Sequence, residues 1–133
     1  MSTERNLVMV RIADPAKESV AAWCEANSSR NAFDPTVLTY PEMRVLAGHD
    51  NGTTYNYLPI QLVAMFESIG VNPEATALQA ATGIMECVKA GIVLAQSANV
   101  REVYFLASDK TTAQGAERMG FEKLDFTVYR RRI

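Results

Sequence analysis

One stretch limits the possible folds more than any other: "ALQAATGIMECVKAGIVLAQSA", residues 77–98. It is long, carries no proline, and its apolar side chains recur at helical spacing. Leu78, Ala81, Met85, Val88, Ile92 and Ala95 form the expected inward row of a helix over residues 75–97, with Glu86 and Lys89 outside. A helix of this length and apolarity either crosses a bilayer or is covered by other elements. Glu86, Lys89 and the Gln and Thr residues lower its hydropathy, so a helix buried against a sheet is expected, without a membrane. The chain has 133 residues, 48% apolar and 21% charged, enough for one domain, residues 1–133, with a core.

The flanking segments read as strands and turns. "NLVMVRI" (6–12) is rich in β-branched residues and predicts a strand. Asp14 and Pro15 suit the N-cap and first position of a helix over "ADPAKESVAAWCEAN", with Val20, Trp23 and Cys24 inward. Residues 28–42 hold two prolines and small polar residues, which predicts irregular structure. From Met43 a strand runs to a turn at Asp50-Asn51-Gly52, where Asn-Gly supplies the positive φ angles of a tight hairpin. The extended stretch that follows, residues 53–71, reads as one strand or two. Pro59 cannot donate to a ladder, which predicts a bulge, break or edge there. Asn99 ends the long helix, and "REVYFLA" (101–107) predicts a buried strand. Ser108 or Asp109 caps a last helix ending at Gly120, and "FEKLDFTVYRRRI" alternates as a closing strand.

Taken in this order, "IGVNPEA" entering a helix and "VYFLASDKTTAQGAERMGFEKL" resemble the GNAT superfamily of acyl-CoA N-acyltransferases over residues 44–133. The resemblance implies an α/β fold with a mixed, mainly antiparallel sheet flanked by helices. It implies that the strand over residues 63–71 splays from the one after the long helix, and that pantetheine pairs with the backbone of Ile69 and Val71. It places the pyrophosphate at the helix start, on Thr76, Ala77, Leu78, Gln79, Ala80 and Ala81, with Asp109 touching the cofactor. The acyl donor expected is acetyl-CoA or another acyl-CoA. Glu67 matches a position where the family often carries a carboxylate, and the implied role is to take a proton from the amine or to bind its ammonium.

The sequence also departs from that pattern. Ala77, Gln79 and Ala81 stand where the phosphate loop carries glycines, which allow close backbone approach. Thr76 replaces its Arg or Gln, and no Lys or Arg occurs between Arg44 and Lys89. Ala116 occupies the position of the Tyr that protonates the departing thiolate. Two function classes are therefore open. One is an N-acyltransferase with a degenerate phosphate loop, acting on a small-molecule or protein amine. The other is a GNAT-fold binding or structural protein that has lost acyl transfer.

The remaining signals exclude more than they suggest. A net charge of −2 gives no basis for nucleic-acid binding. The one histidine, His49, reads as a hairpin-turn residue, and the two cysteines, Cys24 and Cys87, as reduced, buried thiols, so metal-ligand spacing is absent. "YRRRI" reads as a basic edge strand that discourages aggregation. The N-terminus lacks the apolar run of a secretory signal, so a cytoplasmic location is expected. The closing region has room for one long strand, not a hairpin. That leaves an edge for a second copy to cover, and a homodimer is one expectation.

Overall fold

Asn51 and Gly52 both adopt left-handed backbone, with φ of 47° and 80°. Consecutive positive φ angles match the right-handed twist of the strands they join, so the chain reverses in two residues. The turn links strands β2 (Arg44–Asp50) and β3 (Thr53–Ile60) of a computed structural model that describes residues 8–27 and 33–133. β1 (Met9–Ile12) pairs with the other edge of β2, giving an antiparallel sheet in the order β1-β2-β3. The chain divides into two compact units, Met1–Leu62 and Val63–Ile133, and this sheet belongs to the first.

Alternation along the central strand makes the first unit's core. Val45 and Ala47 point to one face and are buried with Ala13 and Val20, while Cys24, Leu38 and Tyr57 pack around them. Pro59 stays in register opposite Val45 on the edge strand β3, where one side of the backbone needs no ladder partner. The ladder's irregularity falls instead between Gly48 and His49. His49 therefore sits half-buried on β2, not in the turn.

Helix α1 spans only Val20–Ala26, and Ser19, not Asp14, is its N-cap. Asp14 instead closes a separate turn: its Oδ1 accepts from Ala16 N–H at 2.9 Å, and its carbonyl accepts from Lys17 and Glu18 N–H. The Glu18 carboxylate folds back onto Asp14 N–H at 2.8 Å, which holds the turn. Both terminal guanidinium nitrogens of Arg11, Nη1 and Nη2, donate to the same carboxylate, and Tyr57 OH donates to it at 3.1 Å. Arg11 also donates to Thr54 Oγ1 at 2.9 Å. The Arg11 bond, then the Asp14 N–H, pulls the Glu18 carboxyl from its ordinary 4.5 down to about 2. This cluster ties β1, the turn and β3 together. Trp23, expected inward, is exposed on α1 with its ring 4.9 Å from that of Tyr57. Residues 28–32 of the expected irregular stretch and residues 6 and 7 of the first strand lie outside the described residues. Pro35–Thr39 forms a short 3-10 helix capped by Asp34.

The second unit is a β-α-β-α run. β4 (Ala64–Phe66) and β5 (Val103–Phe105) pair in parallel, joined by α2 (Ala77–Ser97), and α3 (Lys110–Arg118) follows. The helix ends obey the capping signals. Asn99, at φ 60°, closes α2 with bonds from Val100 N–H to the Ala95 carbonyl and from Asn99 N–H to that of Gln96. Gly120 closes α3 in the same way through Ala116 and Glu117.

Four expectations for this unit are corrected. The strand expected over 63–71 stops at Phe66, because its partner β5 is only three residues long. The packed face of α2 keeps Val88, Ile92 and Ala95 of the expected row but not its first half. Ala80, Ile84, Val88, Gly91 and Ala95 are covered or half-covered, Ile92 is half-covered, and Leu78, Ala81 and Met85 are exposed. Only Val88 and Ala95 are fully buried, since a two-stranded ladder can cover only a narrow stripe. By length and composition α2 is also apolar enough to cross a membrane. Third, residues 121–133 form no strand and, after Phe121, are exposed, including Phe126 and Val128. Alternation alone does not hold a strand without a ladder partner. Cys87 is exposed rather than buried, and Cys24 half-buried.

Overall this is a mixed α/β chain with mostly antiparallel pairing and, among the described residues, three α-helices.

Candidate functional site

After Phe66 the two parallel strands part. Leu106 N–H donates to the Phe66 carbonyl as the last bond between them. Beyond it, among the described residues, the backbone of 67–71 makes no hydrogen bond. Unpaired backbone polar groups persist only where water or a ligand serves them, so this segment is a free edge. It borders a groove of ≈ 610 Å³ whose opposite wall is the first three turns of α2.

Two aromatic rings, Phe66 and Phe105, line the groove. The rings of Phe66, Phe105 and Phe121 meet with centroids 5.4 to 6.3 Å apart, tilted or edge-to-face. Phe66 reaches α2 at Gly91, where a Cβ would come within 2.6 Å of the ring's Cζ. The absence of that Cβ lets the strand approach the helix. Phe66, Phe105 and Val88 therefore line one end, and Val71, Asn72, Gln79 and Ala80 line the end near the helix start.

The electrostatics of the lining are simple. Glu67 is its only charged residue, and it is exposed. The chain supplies no cation between Arg44 and Lys89, so no basic residue of α2's first turns offsets it.

The start of α2 is chemically occupied. Thr76 is the N-cap; its Oγ1 accepts from Gln79 N–H at 3.1 Å, and Gln79 Oε1 accepts from Thr76 N–H at 3.0 Å. This reciprocal box consumes two of the donors that an anion at a helix start would use. Gln79 is thus a cap partner, a signal present in the sequence as Thr-x-x-Gln.

Of the residues predicted for the site, Glu67, Ile69, Val71, Gln79 and Ala80 line the groove together. Thr76, Ala77, Leu78 and Ala81 do not, and Leu78 is 77% exposed. Asp109 caps α3: its carboxylate accepts from Thr112 N–H at 2.8 Å and Thr112 Oγ1 at 2.9 Å, and the backbone bond holds its carboxyl below the usual range. Sequence reasoning missed Ser68, Asn72, Ile84, Cys87 and Phe105. Ile84, Cys87 and Val88 follow Ala80 at helical spacing, a second apolar row that the helix pattern contained. Ala116, in the turn that ends α3, is buried. Among the described residues no cluster of His, Cys, Asp and Glu could hold a metal.

No protein-family model matches the chain, and no curated protein gives a significant match.

Proposed function

We propose that the groove between residues 67–71 and α2 receives an acyl thioester, and that the chain is a GNAT-like N-acyltransferase of degenerate phosphate loop. The observation that carries this reading is the parting of two parallel strands after Phe66, which leaves amide groups unpaired beside an apolar groove. A pantetheine arm, with its own amides in an otherwise apolar chain, complements such an edge. In this reading Ile69 and Val71 serve the arm, and Glu67 stands at the reacting end.

The chemistry follows from the residues present. The amine must be neutral to attack the thioester carbonyl, forming the C–N bond as the C–S bond breaks. Glu67, through water, takes the proton that the amine loses. With Ala116 in place of a phenol, the departing thiolate takes its proton from solvent. The coenzyme's phosphates gain little here, because the Thr76–Gln79 box already uses two helix-start donors.

That same box favours a second reading, in which the groove binds a thioester or another ligand without turning it over. Thiol release from acetyl-CoA in the presence of an amine panel separates the two. Acyl transfer predicts release that falls by about 100-fold or more in Glu67→Gln, in line with the loss of a general base. Saturable binding with no release, unchanged in Glu67→Gln, supports the binding module and overturns catalysis.

A further inference from the structure

Residues 122–133 belong to no strand or helix, and all of them are exposed. Phe126, Val128 and Tyr129 stand 61%, 75% and 89% exposed, and Arg130, Arg131 and Arg132 follow directly. From Phe126 onward no acidic residue occurs, while the chain as a whole carries a net charge of −2. The segment is therefore a positive, apolar pole on an acidic protein. An anionic surface attracts it, repels the remainder and so selects the orientation of approach.

The two halves of the segment ask for different chemistry. A polynucleotide satisfies the arginines and offers bases to Phe126 and Tyr129, but it gives Val128 and Ile133 nothing. A second copy paired antiparallel through the run sets arginine against arginine, which is unfavourable. An anionic bilayer answers both halves. Its headgroup phosphates and carboxylates take guanidinium groups, and the boundary below them takes aromatic and aliphatic side chains.

We propose that residues 126–133 dock the chain reversibly on an anionic lipid surface, with Arg130, Arg131 and Arg132 on the headgroups and Phe126, Val128 and Tyr129 in the boundary beneath. Each arginine near such a surface raises partition by about fivefold, so the association is weak and sensitive to salt. It depends on no property of the groove, and either reading can fail alone.

The test is sedimentation of the full chain with vesicles of phosphatidylcholine containing about 30% phosphatidylserine. Vesicles of phosphatidylcholine alone and polyuridylate RNA are the comparisons. One variant combines Arg130→Gln, Arg131→Gln and Arg132→Gln; the other combines Phe126→Ser and Val128→Ser at unchanged charge. All five positions are exposed and outside any element, so neither variant disturbs packing. Partition onto the anionic vesicles should exceed that onto neutral ones by at least about tenfold, and the arginine variant should bring the ratio to about one. The Phe126→Ser and Val128→Ser variant should lower partition onto the anionic vesicles by about tenfold. No sedimentation at about 5 mM anionic lipid, equal partition onto both vesicles, or indifference to either variant would each overturn the proposal. RNA binding that is tighter than vesicle binding and unchanged by Phe126→Ser and Val128→Ser would overturn it in favour of a nucleic acid.

Discussion

Phe66 and Gly91 meet so closely that the glycine's missing Cβ is the space the ring's Cζ occupies; a Cβ there would lie 2.6 Å away. This contact sets how near the Phe66 ring comes to α2 beside the groove.

It separates two glycine substitutions that are alike in sequence terms. Gly91→Ala should destabilise the second unit by about 1–2 kcal/mol: overpacking against the ring typically costs about 1–3 kcal/mol, offset by up to about 1 from helix propensity. Gly115→Ala in α3 adds a Cβ with nothing within 4 Å. It should stabilise by about 0.5–1 kcal/mol. Chemical denaturation of both variants checks the pair, and equal behaviour would remove the Phe66–Gly91 contact from the account.

The Arg11–Glu18–Tyr57 cluster predicts an acid response of the first unit. The Glu18 carboxyl is held at about 2, below its ordinary 4.5. A depressed carboxylate contributes stability fully above its unfolded value, and loses it as pH falls through the folded one. Glu18→Gln should therefore lower the denaturation midpoint at pH 7, with the gap to the parent narrowing from about pH 4.5 and closing near pH 2. A gap that persists unchanged at pH 2 would show that the carboxylate's charge is not what stabilises the turn.

Thr76→Ala removes the acceptor for Gln79 N–H and half of the box at the start of α2. Loss of about 1 kcal/mol is expected. Gln79→Ala, which removes the reciprocal bond but keeps the Thr76 cap, should cost less. Amide exchange at the first turn of α2 reads both, and the order of the two effects is the diagnostic.

Local signals in the sequence carried further than periodic ones. The Asn51-Gly52 hairpin and the stops at Asn99 and Gly120 depend on φ angles that few residues adopt, and the Asp109 cap on a side-chain oxygen within reach of its own backbone. All four stand as the sequence implies. Asp14 has the same chemistry, but its Oδ1 closes a turn at Ala16, and the helix begins only after Ser19. No sequence pattern reports the ties of Glu18 to Asp14 N–H and to Arg11 on a strand.

Periodicity failed where the partner surface decides. In the first half of α2 the pair Leu78 and Met85 and the pair Ala80 and Ile84 are both apolar, so helical spacing alone does not choose between them, while Val88, Ile92 and Ala95 pack as the spacing implies. Phe66 meeting Gly91 chooses the second pair. The closing stretch alternates, yet a strand exists only with a ladder beside it, and residues 121–133 have none among the described residues. At the groove, Glu67 was legible because a carboxylate in so apolar a run stands out. Phe105 and Cys87 were not, since they enter through the pairing of β4 with β5 and through the rotation of α2.

The most direct test of the central claim compares acetyl-CoA with S-acetyl-pantetheine, which lacks the nucleotide and its phosphates, by calorimetric titration. If the groove holds the thioester arm while the Thr76–Gln79 box gives the phosphates little, both should bind with similar dissociation constants, on the order of 0.1 mM or weaker. Low-micromolar binding of acetyl-CoA with no detectable binding of S-acetyl-pantetheine would contradict the account, because the phosphates would then carry the affinity that the groove is proposed to supply.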